Sequence, residues 1–182
     1  MAKSRRIYDV LLACLLFTAA ACSRSHPQVE ALLVQADSLM EAAPDSAYLL
    51  LDSLHLRQQL SRSETARYAL LLAKATDKTY RSLLPCDSLL NIALRYYDKP
   101  TRDRAVALLY KACLEDEVNH DEEAIEHLHE ARIILKDYTE EKDTKLIVLG
   151  LLGDLYYQYK NYDDCLPVYK EALTLCETHK DI

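Results

Sequence analysis

LIVLGLLGDLYYQYKNYDDCLPVYKEALTLCE, Leu146 to Glu177, reads as two helices joined by a short polar turn. Counting Leu146 as position 1, Leu149, Leu152, Gly153 and Tyr156 stand at 4, 7, 8 and 11, and Cys165, Tyr169 and Ala172 at 20, 24 and 27. Apolar residues three and four apart line one face of a helix. The small residues at 8 and 20 allow the two helices to approach closely, so Gly153 is expected to lie against Cys165. Glycine inside a helix costs roughly 1 kcal/mol relative to alanine and therefore needs a packing reason. The chain has two glycines, Gly150 and Gly153, and both fall in this helix.

The spacing resembles the tetratricopeptide repeat, a helix-turn-helix unit of about 34 residues. Only position 32 departs, with Glu177 where proline is usual. Working outward, helical periodicity is nearly continuous and no strand alternation persists. Three further pairs are expected. Val29 to Glu41 joins Asp45 to Leu56, with Ala47, Leu51 and Leu54 at the 20, 24 and 27 spacing. Ser63 to Arg81, with Ser63 as N-cap, joins Asp87 to Asp98. Thr101 to Val118 joins Asp121 to Lys136, with Ala105, Leu108, Ala112, Ala124, Leu128 and Ala131 in register and Lys111 and Glu115 spoiling two apolar positions. From Ala124 to Cys165 is 41 positions, and the extra seven are expected to lengthen helices around Asp137 to Asp143. LMEAAPDSAYLLLDSL, ARYALLLAKATDK and DSLLNIALRYY are similar to segments of tetratricopeptide lipoproteins of the Bacteroidota cell envelope, a resemblance covering nearly the whole mature chain. It implies an all-α solenoid of about four antiparallel pairs, near 29–56, 63–98, 101–136 and 144–178, within a repeat domain over 29–182.

At the N-terminus, Lys3, Arg5 and Arg6 precede an apolar run, Val10 to Phe17, and small residues ending at Cys22. This resembles a lipoprotein signal peptide over 1–21, which implies cleavage before Cys22, acylation of its thiol and a tether over 22–28. Ala19 replaces the usual leucine three residues before the cysteine. Cys14 competes as a cleavage site, but it would leave an apolar core that is short and interrupted by Asp9. An uncleaved anchor needs a run of roughly 18 to 20 residues, longer than this one. Ser23-Arg24-Ser25-His26 lacks the acidic run that resembles a surface-export signal, which implies a periplasm-facing anchor on the outer membrane.

The chain carries −7, and loss of residues 1–21 would bring it to −9, which disfavours nucleic acid. About 160 mature residues suffice for one core. Thirteen tyrosines, with one phenylalanine and no tryptophan, supply the large packing residues. Cys86, Cys113, Cys165 and Cys176 read as structural thiols with one disulfide as the exception, since an envelope location permits disulfides. Glu115 to Asp143 holds twelve Asp and Glu against Arg132, Lys136 and Lys142, a wet helix face or a site for a basic partner. Glu123, His127 and Glu130 share a helix face, yet no further metal ligand is indicated. Nucleophile elbow, phosphate loop and HExxH are all missing, so neither catalysis nor a cofactor is expected.

In tetratricopeptide domains the first helices of successive pairs line a concave groove. Carried over from that resemblance, the ligand-facing positions are Ile147, Gly150, Asp154, Tyr157 and Gln158, and in the preceding pair Val106, Leu109, Cys113, Asp116 and Glu117, with Tyr110 beside them. No lysine or arginine stands among them, so the groove implies a neutral or basic peptide, or a partner helix, rather than a carboxylate clamp. The resemblance leaves two rivals open, the sensing part of a longer transmembrane regulator and an accessory subunit of nutrient uptake. Solenoids need a polar cap, and the chain stops just past the second helix, so a partner over Leu166, Tyr169 and Leu173, or further chain, is expected.

Overall fold

The structure, a computed structural model, describes residues 26–55 and 60–177. The expected leader, Cys22, tether residues 22–25, Leu56 and residue 178 lie outside the described residues. Among the described residues eight α-helices follow one another: α1 Pro27–Leu39, α2 Pro44–His55, α3 Arg62–Lys78, α4 Asp87–Tyr96, α5 Arg102–Glu117, α6 Asp121–Leu135, α7 Lys142–Gln158 and α8 Tyr162–Glu177. The protein is all-α, with no strand among the described residues. None of these helices is long and apolar enough to cross a membrane. Each odd-numbered helix packs on the even one that follows, and α1 on α3, α3 on α5 and α5 on α7 form a second, inner row of contacts.

Local chemistry sets the boundaries. Pro27 opens α1, two residues earlier than expected, because proline is pre-organised for the first helical turn and has no N–H to leave unsatisfied. α3 is capped by Ser61 and not by Ser63. The Ser61 hydroxyl accepts from Glu64 N–H while the Glu64 carboxylate accepts from Ser61 N–H at 2.8 Å, the reciprocal capping box that Ser63, with Ala66 three residues on, cannot form. Asp87 begins α4 as its first residue, after a 3₁₀ turn at Leu84–Cys86. α7 begins at Lys142, a full turn ahead of Leu146, so part of the extra length between the last two pairs is helix.

Three inner helices end in the same way although none ends on glycine. Tyr80, Asn119 and Lys160 adopt left-handed φ values of 55°, 60° and 56°. Behind each, two crossed backbone bonds close the helix: Arg81 N–H to Thr76 and Tyr80 N–H to Asp77, His120 to Glu115 and Asn119 to Asp116, and Asn161 to Tyr156 and Lys160 to Tyr157. These are Schellman motifs, and a non-glycine residue in that conformation costs roughly 1–2 kcal/mol. α6 and α8 start two residues after the left-handed residue, which makes their hairpins tight.

The periodic alanines are buried as a set: Ala47, Ala105, Ala112, Ala124 and Ala131 are all without exposed surface. Side-chain links then join matching places in successive pairs. Arg67 bonds Glu30, Lys78 bonds Glu41, Arg102 bonds Glu141, Tyr159 bonds Asp121 and Arg132 bonds Glu171, at sequence separations of 37 to 39. Exposed pairs of this kind stabilise little. They join the first pair to the second and the third to the fourth.

Glu64 is the most thoroughly held of these groups. It is 3% exposed, and besides capping its own helix it accepts from the backbone N–H of His26 at 2.5 Å and lies 3.1 Å from that residue's Nδ1. Burial pushes its carboxyl up, but the hydrogen bonds from His26 and Ser61 outweigh it and bring the group from 4.5 down to about 2. A depressed carboxylate stabilises the fold fully above its ordinary range and loses that contribution as pH falls from near 4.5 to about 2. Denaturant melts of the wild type should therefore lose stability across that window, whereas Glu64→Gln should begin less stable at pH 7 and change less on acidification. Parallel pH profiles of the two proteins would contradict the assignment.

Candidate functional site

The inner row opens into a cleft of about 410 Å³ between α3, α5 and the start of α7. Val106, Leu109, Tyr110 and Ile147 line it, so four residues expected from sequence converge here. Two of them serve as floor and not as free contact surface. Leu109 is 1% and Tyr110 5% exposed, because both point into the apolar clusters beneath, Leu109 towards Leu108 and Ala112 and Tyr110 towards Leu83, Leu90 and Leu114. Burial pushes the Tyr110 hydroxyl well above its ordinary range. Ile147 remains exposed and Val106 half-buried.

The cleft is also more mixed in charge than the counted positions suggest. Lys74, Lys78 and Arg102 enter it from residues outside the expected set. Each is answered: Lys74 and Lys78 hold Glu41 at 3.2 and 2.7 Å, and Arg102 holds Glu141. Lys78 and then Lys74 draw Glu41 below the usual carboxylate range, and against burial Arg102 and Thr144 do the same to Glu141. With Asp77, Glu140 and Asp143 added, five carboxylates face three cations. Asp77 is raised by desolvation, with Lys78 opposing.

At the far ends of α5 and α7 the other expected residues meet different fates. Burial, then Asp121, then Asp154, raises the Asp116 carboxyl, so three acids from α5, α6 and α7 gather there. Cys113, above them on α5, is pushed to about 12, first by burial and then by Asp77 and Asp116. Glu117 is already committed, since it accepts from Leu83 N–H at 2.8 Å and from the Ser82 hydroxyl and so closes the loop after α3. Tyr157 is 62% exposed with its ring 6.0 Å from that of Tyr162, and Gln158 is exposed. Asp154 accepts from the Tyr169 hydroxyl.

That last bond explains a glycine. The Cys165 thiol reaches the Gly153 carbonyl at 3.5 Å, as close helix approach requires. A Cβ on Gly153, however, would stand 2.5 Å from the Tyr169 ring, so the glycine also seats that ring beside Asp154. Tyr169 itself stays partly exposed, as do Leu166 and Leu173 on the same helix. Gly150 has nothing within 4 Å of the corresponding point and opens onto the inner row.

The two residues that spoil the third pair form a cross-link that sequence reasoning missed. Glu115, 6% exposed, lies 2.6 Å from His127 Nδ1 and 3.7 Å from Lys111 Nζ, and Lys111 bonds Asp87 at 2.6 Å. Charged residues are tolerated at apolar positions because they satisfy one another across α4, α5 and α6. The i, i+4 spacing of Lys111 and Glu115 was the available signal. His127 is thereby engaged by Glu115, and Glu130 bonds Arg104 at 2.5 Å. Among the described residues no cluster could hold a metal ion, and Cys86, Cys113, Cys165 and Cys176 are free thiols. Comparison with models of protein families, with curated proteins and with solved structures finds no match for this chain.

The glycines give opposite expectations. Gly150→Ala should raise stability by up to about 1 kcal/mol, the helix-propensity gain with no clash to offset it. Gly153→Ala should lower the melting temperature despite that gain, and the additional change Tyr169→Ala should recover most of the loss. Thermal melts of the three variants followed by circular dichroism decide this, and equal effects at both glycines would contradict the seating of Tyr169.

Proposed function

We propose that this chain is a tetratricopeptide-type scaffold, lipid-anchored at Cys22 in a bacterial envelope, that binds a neutral or basic peptide or partner helix through the inner row of α3, α5 and α7, without catalysis. The observation that carries this reading is the cleft with its acid surplus: an apolar floor of Leu109 and Tyr110, the exposed edge of Ile147, and five carboxylates against three cations. The gathering of Asp116, Asp121 and Asp154 extends the same sign of charge along the row. A bound lysine or arginine would relieve the repulsion that Asp116 feels from its neighbours. Preformed helices presenting an apolar floor and an acidic rim suit a helix-in-groove or extended-peptide partner and need no chemistry of their own. The apolar leader ending at Cys22 supports the anchor, and the anchor would hold this face near membrane-associated partners.

Fluorescence anisotropy of a labelled peptide of alternating lysine and leucine tests the reading. The full chain should bind it, binding should weaken with added salt, and Asp116→Asn combined with Asp154→Asn should weaken it by about tenfold, or 1.4 kcal/mol. Asparagine at 154 can still accept from Tyr169, so the packing there survives. Equal binding by the double variant, or equal binding of a glutamate-leucine peptide, would refute an acidic groove.

A further inference from the structure

A second cleft, of about 430 Å³, lies where the end of α6 meets the beginning of α7 and the end of α8. Its walls are Leu135, Val148, Leu149 and Leu175, with Thr174 at one side. Volumes in the range of roughly 300–1,000 Å³ suit small ligands. The rim has the opposite character to the rest of the molecule. Arg132, Lys136 and Lys145 surround the opening against one carboxylate, Glu171, in a chain with twenty-nine acidic and twenty-two basic residues.

Arg132 adds a separate observation. One guanidinium nitrogen bonds Glu171, which holds the head group in place, while its Nε is buried and has no partner among the described residues. A buried N–H left unmet costs on the order of 1–3 kcal/mol, and the Arg132 side chain as a whole stays 27% exposed where it lines the cleft, so its guanidinium is open to an incoming acceptor. Arginine presents its N–H groups in a fixed fork suited to a carboxylate. Glu171 fills only part of that fork.

We infer that this cleft binds a small amphipathic carboxylate, an acyl chain of medium length, with its tail against Leu135, Val148, Leu149 and Leu175 and its carboxylate at Arg132, flanked by Lys136 and Lys145. The site is distinct from the inner row and does not rest on the peptide reading. Its charge also separates the two surfaces: the inner cleft repels the anion that this one attracts.

Calorimetric titration of the full chain with decanoate, decanol and decyltrimethylammonium tests it. Decanoate should bind at least tenfold more tightly than decanol, and the cation should not bind detectably. Arg132→Gln and Lys136→Gln should each reduce decanoate binding towards that of decanol. Thr174 is exposed and bonds only its own helix, so Thr174→Trp should fold normally, fill the cleft and abolish decanoate binding. Absence of decanoate binding, equal affinity for decanoate and decanol, or unchanged binding in Thr174→Trp would each overturn the assignment.

Discussion

Close approach of helices across alanine, glycine and cysteine is the constraint on which the rest of this structure depends. Ala112, Ala124, Ala131 and Leu152 are fully buried, and the Cys165 thiol touches the Gly153 carbonyl, so the third and fourth hairpins pack backbone near backbone. A larger residue at any of these places would spread a hairpin and overpack the core. Because the hairpins are close, residues 37 to 39 positions apart come within hydrogen-bond reach and link the first pair to the second and the third to the fourth, while Glu117 and Lys111 tie the third pair to the second. The inner row of α1, α3, α5 and α7 follows from that stacking, and the cleft follows from the inner row.

Much of this is legible in the amino-acid sequence itself. Helix periodicity with no strand alternation indicated an all-α protein, and the small residues at 153 and 165 indicated where one hairpin closes. Helix ends were legible to within a few residues, since Thr101 and Asp121 carry local signals, whereas Pro27, assigned to the tether, in fact opens α1. Ser63 was misjudged as a cap because the capping box needs the partner three residues on, and only Ser61 has Glu64 there. Tyr169, expected with Leu166 and Leu173 to form an uncovered face, is exposed among the described residues; its hydroxyl bond to Asp154 and its seat over Gly153 are what the spacing does not show.

The site was less legible, for a physical reason. Repeat positions predict which residues one helix turns towards a groove, but not which side chains arrive from its neighbours. Lys74, Lys78 and Arg102 enter the cleft from α3 and the first turn of α5, and Glu140 and Glu141 from the turn before α7. Glu117, counted as a contact residue, is consumed by the backbone of Leu83. Glu115 and Lys111, counted as defects, prove to be an ionic tie between three helices. Each of these depends on tertiary juxtaposition, which single-chain periodicity does not encode.

The distribution of charge then gives the fold its functional sense. Acids outnumber bases around the inner cleft and bases outnumber acids around the second, so one stack carries two clefts of opposite charge. Whether the inner row receives a basic partner is the central claim. Backbone amide chemical shifts recorded during titration with the lysine-leucine peptide address it most directly. The account predicts perturbations concentrated at Val106, Cys113, Asp116, Ile147 and Asp154, on α5 and α7. Perturbations confined to α6 and α8, with those five amides unmoved, would contradict it.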